Sequence, residues 1–156
     1  MQSFDIDNRK DFMNKLLKSD LFDTFEVRDV VVHTAFKLAI SGERNLEYFN
    51  DSLDIDSADN SSLTKFLAWG EIRNHVYNLM SGNKLPTYFK IILSTNKERT
   101  LDICPDATTL YLNITFKDNH ISCGTGTAYA TFTMDKSGEL EWDERIKRFL
   151  FKHNFI

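Results

Sequence analysis

The sequence predicts an α+β fold: a mainly antiparallel sheet with two long helices and a C-terminal helix packed on it. Three observations predict it. Apolar and polar residues alternate through residues 109–135 in two runs joined by Asp118-Asn119. Three other stretches repeat their apolar residues at helical spacing. The order along the chain is helix, strands, helix, strands, helix, the segregated pattern of α+β proteins.

A chain of 156 residues suits one domain, expected over residues 1–156. At that size a core can bury roughly 68–70% of the unfolded surface. The apolar runs are too short to span a bilayer, so no membrane is expected. Met1-Gln2-Ser3-Phe4-Asp5 is not a basic region followed by an apolar stretch, so no secretory leader is expected. Cys104 and Cys123 are the only cysteines, which points to a reducing cytoplasm. The net charge is −4. Residues 1–78 carry 9 basic and 14 acidic side chains, a net of −5, and residues 79–156 carry 10 and 9, a net of +1. Neither half has the basic excess that a phosphate backbone demands.

Asp7 or Asn8 caps a first helix reaching about Lys18, with Phe12, Met13, Leu16 and Leu17 as one apolar stripe. Phe25 and Val27 suggest a short strand. Val30, Val32, Thr34, Phe36, Leu38 and Ile40 then alternate with Val31, His33, Ala35, Lys37 and Ala39, which predicts one long strand ending at Ser41-Gly42. Residues 43–60 are irregular and acidic, with Glu47, Asp51, Asp54, Asp56 and Asp59 after Arg44. Asp54 and Asp56 resemble the opening of a calcium loop, but the loop glycine and closing glutamate are absent, so a solvated acidic loop is expected.

A second helix is expected from about Ser62 to Ser81, capped by Asn60 or Ser61 and stopped by Gly82. Leu63, Phe66, Leu67, Trp69, Ile72 and Val76 help to cover more than half its circumference, so it should pack on more than one side. Gly70 lowers helix propensity by roughly 1 kcal/mol relative to alanine, and a close crossing by another element would account for it. Lys84-Leu85-Pro86 opens a strand with Phe89, Ile91 and Leu93 on one face and Tyr88, Lys90 and Ile92 on the other. Residues 96–106 read as a polar connection. Asp135 or Ser137 caps the last helix, whose apolar stripe is Trp142, Ile146, Phe149 and Leu150. Its early acids, Glu139, Glu141, Asp143 and Glu144, and its late bases complement the helix dipole. The halves at about 7–41 and 61–134 are loosely alike without shared residue identity; a duplication would echo sliding-clamp domains by fold analogy alone.

The most unusual segment is Ser122-Cys123-Gly124-Thr125-Gly126-Thr127. Asp118 and Asn119 tolerate the positive φ of a two-residue hairpin turn. That turn sets Lys117 opposite His120, Phe116 opposite Ile121, Ile114 opposite Cys123 and Tyr111 opposite Gly126. Beyond it the apolar residues move from odd positions, Ile121 and Cys123, to even ones, Ala128, Ala130, Phe132 and Met134. A change of face needs an extra residue, so a β-bulge is expected between Gly124 and Thr127. One reading has the Gly124 and Gly126 amides exposed to hold an anion or a partner strand; the other packs the bulge under Tyr111. The glycines lead into strand rather than helix, and no lysine follows as in a phosphate loop, so the packed bulge is expected. Candidate binding residues are Tyr111, Gly124, Thr125 and Gly126, together with Arg73, which can hold an anion or pair with Glu71 or a loop acid.

Other chemistry is dispersed. His33, His75, His120, Arg73, Lys90, Cys123 and the acids near residues 54–59 are what an assembled active site could draw on. Lys84, Lys90, Lys97, Arg99 and Lys117 with Tyr88 and Tyr111 would make a basic aromatic strip. With no metal-ligand cluster, nucleophile motif or complete phosphate loop in the sequence, no metal or cofactor is expected. The reading that fits is a non-catalytic binding or assembly module with another protein as partner. The alternatives are a small enzyme with a site built from dispersed His, Arg and acidic residues and, weaker because of the acidic total, a clamp-like nucleic-acid accessory protein.

Several motifs run through nearly the whole chain: Phe12-Met13 with Leu16-Leu17, Phe22-Asp23, Trp69 with Arg73, Gly82, Leu85-Pro86 and Phe89-Lys90-Ile91. They continue in Leu110-Tyr111-Leu112-Asn113-Ile114, Cys123-Gly124-Thr125-Gly126-Thr127, Thr131-Phe132-Thr133-Met134-Asp135 and Trp142-Asp143. In these motifs the chain resembles a family of functionally uncharacterised bacterial proteins, a domain of unknown function. The resemblance implies no activity, substrate or cofactor and carries no site over.

Overall fold

Asp118 and Asn119 both take left-handed backbone, with φ of 51° and 63°. They join β5 (Ala107–Lys117) to β6 (His120–Tyr129). The turn imposes the expected register, Lys117 opposite His120 and Tyr111 opposite Gly126. The computed structural model describes residues 1–49 and 63–156. In it β4 (Tyr88–Ser94) lies on the other side of β5, followed by β2 (Glu26–His33) and β3 (Lys37–Ser41). A three-residue strand, β1 (Ser3–Asp5), flanks β6. The order is β1-β6-β5-β4-β2-β3, and every neighbouring pair is antiparallel.

Period-two alternation decides which face meets the helices. Leu110, Leu112 and Ile114 of β5 are buried, as are Phe89, Ile91 and Leu93 of β4 and Val30 and Val32 of β2. Three helices bring apolar stripes to this layer. α1 (Arg9–Lys18) buries Phe12, Leu16 and Leu17; its N-cap Asn8 accepts the Asp11 N–H. α3 (Trp69–Met80) buries Trp69, Ile72, Val76 and Met80, and α5 (Ser137–Lys152) buries Trp142, Ile146 and Leu150. Burying each such side chain stabilises by roughly 1.5–3 kcal/mol. The indole N–H of Trp69 donates to the Leu16 carbonyl at 2.8 Å, tying α3 to α1. The indole of Trp142 donates to the Tyr111 carbonyl at 2.9 Å, tying α5 to β5. The short α2 (Leu46–Phe49) and α4 (Lys97–Ile103) complete the described elements.

The α+β expectation holds, but two long helices besides the last do not appear: α1, α3 and α5 have 10, 12 and 16 residues. The second helix starts at Trp69 rather than Ser62. Residues 65–68 are instead captured as extended backbone. Leu67 donates to Gly42 at 2.9 Å and accepts from Val27 at 2.7 Å, while Trp69 donates to Phe25 at 2.8 Å. Tertiary pairing overrides the helical pattern there. At Gly70 it is a side chain rather than a crossing element that comes close: a Cβ would lie 3.0 Å from the carboxylate carbon of Asp23, in the turn before β2.

The long strand across Val30–Ile40 is a hairpin. Thr34 donates to Phe36 at 2.9 Å and the chain folds back. Val30 then faces Ile40 and Val32 faces Leu38, so even residues stay with even residues, and alternation alone cannot reveal the turn. The short strand at Phe25–Val27 is the start of β2, with a register shift between Val27 and Asp29. In the polar connection, Asn96 caps α4 by accepting the Arg99 N–H at 2.8 Å.

The bulge expected between Gly124 and Thr127 is absent. Pairing runs unbroken from His120 to Ala128, and the shift falls on β5 between Ala107 and Thr109. Odd residues of β6 stay inward: Ile121, Cys123 and Thr125 are all buried. The strand ends at Tyr129, and Phe132 and Met134 are 92% and 85% exposed. The change of parity that suggested a bulge is therefore the end of the strand, and the core does not extend to Phe132 or Met134. The acids Asp51, Asp54, Asp56 and Asp59 and the expected cap at Asn60 or Ser61 lie outside the described residues.

Candidate functional site

The second face of the sheet is built from the alternate residues of the same strands; α1, α3 and α5 pack on the first, and among the described residues these three leave the second free of helix. Cross-strand register places its side chains in rows. One row is Lys37, His33, Tyr88, Lys117 and His120, each opposite the next across five strands. Strand spacing makes it about 19 Å long. The His33 and Tyr88 rings sit 4.9 Å apart. The next row runs Ala39, Val31, Lys90, Thr115, Ser122 and Asp5, and the third Ser41, Asp29, Ile92, Asn113, Gly124 and Ser3. Among the described residues Lys37, Lys90 and Lys117 have no ion-pair partner. The carboxylates of the first three rows are Asp5, at the far edge, and Asp29.

The opposite end of the face is an aromatic–guanidinium stack. The Arg28 guanidinium lies 3.8 Å from the Phe66 ring centre and 5.8 Å from that of Tyr111. Its Nε donates to the Ser94 hydroxyl at 2.9 Å. Glu26 stands 4.0 Å from the same guanidinium. Burial raises the Glu26 carboxyl above its ordinary value, and Arg28 opposes that shift without cancelling it.

The five candidate residues of the sequence divide between locations. Tyr111, Gly124 and Gly126 share the helix-free face. Tyr111 lies over Gly126, where a Cβ would meet the tyrosine Cβ at 3.4 Å. At Gly124 a Cβ would meet only the Gln2 carbonyl oxygen, at 3.8 Å. The glycine amides are not free donors for an anion. Thr125 donates to Gln2 of the β1 side at 2.9 Å, so by alternation those of Gly124 and Gly126 point into β5. Thr125 is buried on the opposite face. Its hydroxyl donates to the buried Asp143 carboxylate on α5, and its Oγ1 accepts the Gln2 N–H at 2.9 Å. Asp143 is therefore an anchor rather than one more charge for the helix dipole. Arg73 stands on α3 with its Nη2 donating to Asp23 at 3.0 Å, the loop-acid pairing.

Of the basic aromatic strip, Tyr88, Lys90 and Lys117 come together on this face with Tyr111 farther along, while Lys97 and Arg99 stand on α4. Lys37, Arg28 and Phe66 were missed. Lys37 needs the unsignalled hairpin, and the Arg28–Phe66 contact needs the irregular pairing at Val27 and the extended residues 65–68. The histidines are dispersed. Their nearest aromatic neighbours are Tyr88 for His33 and Phe149 and Phe155 for His153, while His75 and His120 are exposed. Cys123 is fully buried, and burial pushes its thiol well above the ordinary range, so it offers no thiolate. Among the described residues no three His, Cys, Asp or Glu side chains gather as metal ligands, and no helix is long and apolar enough to cross a membrane.

A family model described as "Family of unknown function (DUF5721)" matches residues 15–156. The chain belongs to this family. No curated protein and no solved structure matches it. The match covers every strand of the helix-free face except β1, and it includes Tyr111, Gly124, Gly126 and the whole Lys37–His120 row.

Proposed function

We propose that this protein is a non-catalytic binding module that receives an acidic segment of another protein across the helix-free face of its sheet. The observation that carries this reading is the row Lys37, His33, Tyr88, Lys117 and His120, set in a chain whose net charge is −4. Such a row complements carboxylates at short range, while the overall negative charge opposes the approach of a long polyanion. Tyr88 beside His33 adds rigid contact area of the kind enriched at protein interfaces. Gly124, where a Cβ would meet the Gln2 carbonyl oxygen at an ordinary 3.8 Å, presents no side chain and lets a partner backbone come close. The free, buried Cys104 and Cys123 support a reducing compartment, the cytoplasm.

The test is a fluorescently labelled peptide alternating glutamate and tyrosine, titrated by anisotropy at low and high salt. Binding is expected at low salt, weakened by salt. Lys37→Glu combined with Lys117→Glu should weaken it by about tenfold or more with an unchanged melting curve. A single-stranded oligonucleotide of equal charge that bound more tightly than the peptide would overturn the reading in favour of nucleic acid. Absence of peptide binding would end it.

A further inference from the structure

The helices do not close over the hairpin end of the sheet's covered face. A cleft of about 640 Å³ remains there, within the range of small-molecule sites, and neither Gly124 nor Gly126 borders it. Its floor is the stacked pair Phe89 and Phe116, with ring centres 5.3 Å apart, and Ile121. α3 supplies Tyr77 and Met80 on one side, and the chain that follows supplies Leu85 and Pro86. Leu85 is 78% exposed.

The α1 wall has a gradient. Arg9 and Lys10 stand exposed at its first turn, Met13 is half-buried one turn on, and Leu17 is buried at the far end. Arg9 also donates to the Asn119 carbonyl, which ties this wall to the hairpin tip. Asp7 is the one carboxylate on the lining, so the rim keeps a net positive charge. Met13 and Met80 are flexible, polarizable side chains that adapt to an irregular apolar guest.

We infer that this cleft binds a small amphiphile, with its apolar body over Phe89 and Phe116 and a single anionic head at Arg9 and Lys10. The site lies on the opposite face from the proposed protein-binding row and stands or falls independently of it. A guest of this shape removes the exposed apolar lining from water and meets cations only at the open end.

Isothermal titration calorimetry with decanoate and decanol, both kept below aggregation, tests it. Decanoate should bind saturably at one site, about tenfold tighter than decanol. Arg9→Gln combined with Lys10→Gln should erase that preference and leave decanol binding unchanged. Lys10→Gln alone, which spares the Arg9 tie to the hairpin, should weaken decanoate about threefold. Met13→Trp should fill the cleft and abolish both, and Leu85→Gln, at an exposed position, should weaken both alike. Failure of both ligands to saturate, decanol matching decanoate, or binding indifferent to both Met13→Trp and Leu85→Gln would overturn the inference.

Discussion

The two faces of the sheet are made by alternate residues of the same strands, yet they do different work. On β5, Leu110, Leu112 and Ile114 are fully buried, while Tyr111, Asn113 and Thr115, each following one of them, are half-exposed. The covered face holds the helices through apolar packing and the Trp142 indole hydrogen bond to Tyr111, while the Trp69 indole fastens α3 to α1. The helix-free face carries lysines, histidines, tyrosines and a glycine, Gly124, that no side chain of the described residues covers. Stability is thus concentrated on one side, and the other side is free to vary in chemistry at little cost to the fold.

The sharpest way to break this contrast is to cut side chains at adjacent positions. Leu112→Ala should cost about 2–5 kcal/mol in denaturant unfolding, because a fully buried leucine leaves a cavity. Asn113→Ala, one residue along and on the other face, should cost less than about 0.5 kcal/mol. Equal losses at the two sites would abolish the distinction.

A smaller effect is expected where the helical layer is fastened to the end of the sheet. Arg44, 8% exposed, makes hydrogen bonds of 2.8 and 2.9 Å to the two Glu71 carboxylate oxygens, and Glu71 also accepts the Ala68 N–H at 2.8 Å. The Arg44 hydrogen bonds hold the Glu71 carboxyl below its ordinary 4.5 against the opposing effect of burial. A carboxyl depressed on folding contributes stability that is complete above its ordinary value and is lost as pH falls through the depressed one. Glu71→Gln should therefore cost about 2 kcal/mol at neutral pH, less than a fully buried pair because Glu71 is partly exposed. Wild type and variant should converge as pH drops below 4.5. A difference that stayed constant through acid would remove the ion pair from the account.

The smallest effect has the opposite sign. Gly124→Ala brings its methyl into no more than ordinary contact with the Gln2 carbonyl oxygen at 3.8 Å, and it should raise stability by about 0.5 kcal/mol by restricting the unfolded chain. The same change should weaken binding of the acidic peptide. A destabilised Gly124→Ala protein would mean that this glycine serves the fold rather than the open face.

Much of the sheet was legible. Period-two alternation and the Asp118-Asn119 turn were enough to pair Tyr111 with Gly126 and Ile114 with Cys123. The last helix was legible from the spacing of Trp142, Ile146 and Leu150. The chain between Thr34 and Phe36 was not, since it turns without glycine, proline or asparagine and preserves parity. The start of α3 was not, since hydrogen bonds to the Gly42 and Phe25 carbonyls and from the Val27 N–H decide it. Of the candidate residues, Tyr111, Gly124 and Gly126 fall on one face because the pairing runs on without the expected bulge. Thr125 shares the parity of Ile121 and Cys123, so its inward aim was readable once the bulge was discarded. Lys37 and Arg28 could not be placed, because each depends on a turn or a register shift without a sequence marker.

β1 is the shortest strand of the sheet, yet among the described residues it alone lies along the outer side of β6, at Ser122, Cys123 and Gly124. Deleting residues 1–7 would bare the amides and carbonyls along that side of the ten-residue β6. A long strand with an open border is a template on which further copies can add. A protein cut before Asn8 is therefore expected to scatter more light as its concentration rises than the full chain does, and equal scattering would show that β1 protects nothing.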